Sequence, residues 1–180
     1  MTRLQVSDHP DAHDRLLGAE VVLLAQAASN LPPRDLWPPD RLTSHTLTRQ
    51  RNALALWVAR AGEDVVGHLL IELVGDGPYQ AITDPRIAAA RDERRLVSAG
   101  ALAVDPLWWG QGVARALVSH ALTWYLQHPE LTLVAAVWDE PAAHAWVRGV
   151  GEMIDEVPEL RTRLIMIDAA HAHAFLESGQ

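Results

Sequence analysis

The 180-residue sequence predicts an α/β (α+β) chain folded as one domain over residues 1–180. Three observations carry that expectation. Short apolar runs bounded by turn residues alternate with longer stretches whose apolar side chains recur at helical spacing. Two pairs of these runs are separated by only a few turn residues, which reads as two hairpins. A further run stops at Asp105-Pro106 and passes through a glycine-punctuated turn into a helix.

The elements follow in order. Arg3 to Val6 reads as a first strand, and Ser7, Asp8 and Pro10 mark a helix start. Leu17, Val21, Leu24 and Ala28 fall at helical spacing, giving a helix over residues 11–28 that Asn30 and Pro32-Pro33 stop. The proline-rich LPPRDLWPPD is a loop, and a second helix covers Leu42 to Arg51. Leu54 to Arg60 and Val65 to Val74 form a hairpin about Gly62-Glu63-Asp64, with His68, Leu70 and Glu72 on one face of the return strand. Residues 79–95 read as a polar connection with one helical turn at Ala88–Ala90, and Arg91, Arg94 and Arg95 on a solvated face.

Leu96 to Val104 is the next strand, and residues 113–127 the next helix, with Val113, Leu117, Ala121, Leu122 and Tyr125 on one stripe. Leu131 to Val137 is almost continuously apolar, the mark of a central strand buried on both faces. Asp139 caps a helix over 141–149, with Pro141 in its first turn and Gly149 and Gly151 ending it. Met153–Val157 and Leu160–Ile167 make the final hairpin, and the tail HAHAFLESGQ reads as frayed or weakly helical.

Composition narrows the function classes. The net charge of −8 argues against sequence-independent nucleic-acid binding, which needs a dense basic patch. All 15 basic residues are Arg, whose planar fork suits phosphates. The absence of Cys excludes disulfides, thiol nucleophiles and thiolate metal sites. His171-x-His173 shows no ligand spacing with carboxylates, so no metal site is expected. The N-terminus lacks an apolar leader and the apolar runs are too short for a membrane span, so a cytoplasmic protein without membrane attachment is expected.

The organising stretch is residues 102–117, LAVDPLWWGQGVARAL. Pro106 cannot donate to a ladder and biases Asp105 toward extended backbone, so the strand ends there. Gly110 and Gly112 permit tight backbone and close ligand approach. The amides of Gly112, Val113, Ala114 and Arg115 become the unpaired donors of a helix N-terminus, suited to a phosphate-bearing ligand.

Trp109-Gly110-Gln111-Gly112-Val113-Ala114 resembles the Q/R-x-x-G-x-G/A signature of the GNAT family of N-acetyltransferases, with Trp109 where that family usually has Gln or Arg. Asp139-x-x-Ala142 followed by Gly151 resembles the family's N-x-x-A…G segment, and the element order resembles its fold over nearly the whole chain. The resemblance implies a mixed, mostly antiparallel twisted sheet of about six to seven strands flanked by helices. It implies acetyl-CoA as cosubstrate and an amine as acceptor, and leaves a homodimer open. Leu102, Ala103 and Val104 would line the pantetheine with main-chain groups. Gln111, Gly112, Val113, Ala114 and Arg115 would take the pyrophosphate, and Asp139 would stand at the pantetheine-contacting Asn. Trp37 would either wall the acceptor pocket or pin its loop.

Amide formation from a thioester needs a neutral amine, a donor for the oxyanion and a route for the amine proton. In the family the oxyanion donor is a main-chain N–H on the strand ending here at Val104. Glu72 is the candidate base, with His68 as its alternative, and Ser98 could relay a proton through water. The family's general acid, often a Tyr on the helix after the central strand, has no counterpart there. That helix carries His144 and Trp146, while Tyr79 and Tyr125 fall elsewhere. The expected function is an acetyl-CoA-dependent N-acetyltransferase; the alternative is a non-catalytic acyl-CoA-binding module on the same fold. A dinucleotide-binding protein is disfavoured, because its glycines should open an N-terminal βαβ unit.

Overall fold

The computed structural model describes residues 3–29, 37–74, 82–138, 149–157 and 162–179. Among them run seven strands, β1 (Leu4–Ser7), β2 (Ala55–Ala61), β3 (Asp64–Leu73), β4 (Leu96–Val104), β5 (Thr132–Trp138), β6 (Glu152–Val157) and β7 (Thr162–Ile167). Five α-helices accompany them: α1 (Ala12–Ala27), α2 (Pro39–Asn52), α3 (Pro85–Asp92), α4 (Val113–Leu126) and α5 (Ala169–Glu177). The strands form one seven-stranded sheet in the order β1-β2-β3-β4-β5-β7-β6. The pairs β1/β2, β2/β3, β5/β7 and β6/β7 are antiparallel, while β4 and β5 run parallel. This is the mixed, mostly antiparallel sheet expected. No helix among the described residues is long and apolar enough to cross a membrane.

The backbone divides into two compact units, Met1–Ile71 with Ala101–Ala121, and Glu72–Gly100 with Leu122–Gln180. In the first, α1 starts at Asp11, whose carboxylate accepts from the Asp14 N–H at 2.8 Å; the cap is thus Asp11 rather than Ser7 or Asp8. That hydrogen bond holds the Asp11 carboxyl below its ordinary pKa. Val21, Val58, Val65 and Ala103 form the core of this unit, whereas Leu24 stays 49% exposed and is no part of it. Successive residues of β3 face opposite sides of the sheet. A Cβ on Gly67 would lie 2.7 Å from Val113 Cγ1 and 2.8 Å from Leu117 Cδ1, so glycine there lets α4 pack closely. On the other side, a Cβ on Gly18 of α1 would meet the His68 ring at 2.8 Å.

The second unit has its core at Ile82, Ile87, Ala90, Leu96, Val134, Leu164 and Met166. Some expectations need correction here. Residues 85–92 are an eight-residue helix rather than a polar connection with one turn. Asp84 caps it, and Ile87 and Ala90 are buried against the sheet, so tertiary burial stabilises a segment with little periodic signal. The tail is likewise a regular helix, capped by the Asp168 carboxylate at the His171 N–H and anchored by buried Ala172 and Phe175. Of the Arg trio, Arg94 is exposed as expected, whereas Arg95 is half-buried, donates to the Glu130 carbonyl at 2.9 Å and pairs with Glu93. Within β5, Leu133 and Val134 are buried but Ala136 is exposed. The expected helix over 141–149 lies outside the described residues except for its last position.

Candidate functional site

The site is built where β4 ends. The Asp105 carboxylate accepts from the Leu107 N–H at 2.9 Å, and the Trp108 N–H donates to the Asp105 carbonyl at 2.8 Å, so residues 106–108 form a 3-10 turn. Pro106 starts that turn, as its fixed φ favours. The Asp105 N–H donates to the Val66 carbonyl at 2.9 Å, tying the start of the turn to β3.

Gly110 and Gly112 then adopt φ of +75° and +82°, in the left-handed region where only glycine is unstrained. Among the described residues, chain neighbours aside, nothing lies within 4 Å of the place a Cβ on either would occupy. The first helical bond of α4 runs from the Ala116 N–H to the Gly112 carbonyl at 2.9 Å. The amides of Val113 and Ala114 therefore precede that bond and face forward with the positive end of the helix dipole. Val113 is buried against the sheet, while Ala114 and Arg115 are half-buried. The Gln111 N–H donates to the Trp108 carbonyl at 3.3 Å, and its side chain donates to the Leu107 carbonyl at 3.1 Å. Gln111 thus stabilises the loop from within.

Trp109 replaces the expected Gln or Arg and does something the sequence did not reveal. Its indole N–H donates to the Val104 carbonyl at 2.9 Å, bracing the loop against the end of β4, while the residue stays 54% exposed. The signal was an aromatic donor five residues after a strand end, which has no generic meaning in sequence.

Leu102, Ala103 and Val104 form the last turn-side stretch of β4; Leu102 is 39% exposed and the other two are buried. The β4–β5 register runs from Leu96↔Thr132 to Ala99↔Ala135, so residues 102–104 follow its last pair. Between them sits Ala101 with φ +52°, a left-handed residue inside a strand. Glu72 is half-buried near the end of β3, and Ser98 is 4% exposed on β4 opposite Val134. Asp139, Tyr79, His144 and Trp146 lie outside the described residues.

His68 is withdrawn as a base. It has 0% exposure, its Nδ1 lies 2.9 Å from the Ala101 carbonyl, and its Nε2 lies 3.0 Å from Gln50 Nε2. Burial pushes its pKa down to about 4 against the favourable Ala101 carbonyl, with the Arg49 charge adding a smaller downward push. Tyr125 is buried on α4, and burial raises its phenol above the usual range. Trp37 is pinned at both backbone groups by the Gln26 side chain, at 2.9 and 3.1 Å. Its ring contacts His45 at 4.8 Å between centroids and lies under the Arg41 guanidinium at 4.9 Å.

The model of the Acetyltransferase (GNAT) family matches residues 23–151. No curated protein sequence matches significantly. Solved structures share the fold at low identity. FeeM, an N-acyl amino acid synthase from uncultured soil microbes, superposes with a TM-score of 0.71 at 15% identity, covering 96% of this chain and 94% of its own. A GNAT family acetyltransferase from Brucella melitensis, solved in complex with acetyl-CoA, gives 0.61 at 13% identity over 93% and 90%. YncA of Salmonella typhimurium, described as a putative acetyltransferase with its cofactor acetyl-CoA, gives 0.59 at 15% identity over 91% of each chain.

Proposed function

Because the chain belongs to the acetyltransferase (GNAT) family, we propose that it is an acetyl-CoA-dependent N-acetyltransferase passing the acetyl group directly to a primary amine. The observation that carries this reading is the loop into α4. Its left-handed glycines leave open space where any side chain would project, and the Val113 and Ala114 amides lie ahead of the Ala116–Gly112 helical bond. That cradle suits a pyrophosphate, because the donors are preorganised and no Cβ keeps a phosphate oxygen away.

Acetyl-CoA supplies the activated acetyl thioester; the chain supplies binding, orientation and proton transfer. The amides of Gly112, Val113, Ala114 and Arg115 hold the pyrophosphate, with Gln111 keeping the loop in shape. The main-chain groups of Leu102, Ala103 and Val104 hold the pantetheine amides, and Asp139 adds a polar contact to the same arm. A main-chain N–H on this stretch also steadies the negative charge that develops on the thioester oxygen. Glu72 accepts the proton that leaves the amine nitrogen as the new C–N bond forms. Glu72 is half-buried, and Ser98 relays the proton through water. The departing thiolate is a good leaving group and takes its proton from water rather than from a dedicated acid.

The test is an amine-panel screen with acetyl-CoA, reading thiol release. Saturable, amine-dependent release supports the enzyme. Binding of acetyl-CoA with release no faster than the spontaneous rate across the panel would leave a binding module instead.

A further inference from the structure

The buried His68 belongs to a constellation that none of the catalytic roles uses. Four segments meet at its ring: α1 through Gly18, α2 through Gln50, β3 itself, and β4 through Ala101. Gly18 leaves the room that the imidazole fills. Gln50, 3% exposed, donates from Nε2 to the Arg15 carbonyl at 3.0 Å and lies 3.0 Å from His68 Nε2.

These contacts fix the ring's protonation. Turning the Gln50 amide over would set Oε1 against the Arg15 carbonyl oxygen, acceptor facing acceptor, so Nε2 stays where it is. Its second hydrogen then points at His68 Nε2, which must be the lone-pair nitrogen. The proton sits on Nδ1 and is donated to the Ala101 carbonyl at 2.9 Å. A second proton on the ring would face the Gln50 amide hydrogens, so the imidazole is held neutral. The cost of this arrangement is visible: Gln50 Oε1 is buried without a hydrogen-bond partner among the described residues.

The residue held is itself strained. Ala101 has φ +52°, a conformation that an L-residue with a Cβ leaves unless its surroundings hold it. One left-handed residue breaks the alternation of the strand: Ala103 and Val104 are both buried, with Leu102 exposed before them. Relaxation of Ala101 to extended backbone would turn the following peptide groups and side chains toward other directions.

We infer that His68 is a positioning residue: its Nδ1–H holds the Ala101 carbonyl, keeps Ala101 left-handed, and so aims the peptide groups of Leu102, Ala103 and Val104 at acetyl-CoA. This rests on the proposed role of residues 102–104. His68 itself, with no exposed surface, touches no substrate.

Two kinds of measurement test it. In the free protein, imidazole ¹⁵N resonances should show a neutral Nδ1–H tautomer at pH 7, and amide exchange at residues 102–104 should be faster in His68→Leu. Calorimetric titration with acetyl-CoA should show His68→Leu binding about tenfold more weakly, with His68→Asn, which keeps a donor near Nδ1, recovering most of the loss. In an Ala101→Gly background the left-handed residue needs no clamp, so His68→Leu should cost less than about threefold there. Should His68→Leu fail to fold, Gln50→Met removes the donor that fixes the tautomer. It should then show mixed tautomers and faster exchange at 102–104.

An Nε2–H tautomer in the wild type, unchanged amide exchange, or an equal affinity loss in both backgrounds would each overturn the positioning role. Wild-type protein that binds no acetyl-CoA overturns the proposed function and the aiming of residues 102–104 with it. The tautomer and exchange results still decide whether His68 holds Ala101.

Discussion

Replacing Gly112 tests the cradle most directly, because its two consequences separate. At φ +82°, any residue with a Cβ is strained, and for Ala the left-handed region costs roughly 1–2 kcal/mol. A chain of this length loses about 2–4 °C in melting temperature per kcal/mol, so Gly112→Ala should melt about 2–8 °C lower. Gly62, with φ +68° in the β2–β3 turn, offers a strain control away from the site, and Gly62→Ala should lose a similar amount. Acetyl-CoA affinity should distinguish the two. The space at Gly112 is open in the free protein, so a clash there can come only from the ligand. Gly112→Asp adds a carboxylate beside the pyrophosphate. At about 5 Å and an effective dielectric near 20, one charge pair repels by about 3 kcal/mol before salt screening, enough for a loss of tenfold or more. Calorimetry should therefore rank the affinities as wild type and Gly62→Ala together, and Gly112→Asp far weaker. Equal acetyl-CoA binding by Gly112→Asp and Gly62→Ala would refute the phosphate-cradle reasoning.

Three further outcomes are expected. His68 has a folded pKa of about 4 against an ordinary 6.5, so the unfolded chain binds more protons between those values. Its contribution is complete above pH 6.5 and fades by about 3 kcal/mol as pH falls to 4. Urea unfolding should show that slope in the wild type and a much flatter one in His68→Asn. The capping carboxylates Asp11, Asp84 and Asp168, all lowered, lose their contribution only at still lower pH. Glu72→Gln should cut turnover by roughly a hundredfold or more with acetyl-CoA affinity unchanged, measured by thiol release; an unaltered pH–rate profile would make it an ordinary strand carboxylate. Gly67→Ala puts a Cβ against Val113 and Leu117 and should cost about 1–3 kcal/mol in unfolding experiments while weakening acetyl-CoA binding, because α4 carries the cradle.

The sequence by itself determined what depends on local chemistry. Pro106 and the two glycines dictate a strand stop, a tight loop and a helix start without reference to anything distant, so the loop into α4 was legible from residue type alone. The hairpin about Gly62 and the apolar stripe of α4 were legible for the same reason. Tertiary structure decided whatever rests on burial against a distant partner. Helix α3 has almost no periodic signal and exists because Ile87 and Ala90 find a sheet to cover. The C-terminal segment, expected to be frayed or weakly helical, is a regular helix held by Phe175 and Ala172. In sequence His68 reads more readily as a hydrogen-bonded structural residue than as a base, but sequence records a titratable ring and neither its solvent nor its neighbours. Only the fold brings Gly18, Gln50 and Ala101 to it from positions far apart in the chain, and removes the water that a base would need. Trp109 makes the same point on a smaller scale: a departure from a family pattern acquires its meaning from the Val104 carbonyl that the turn carries within reach of its indole.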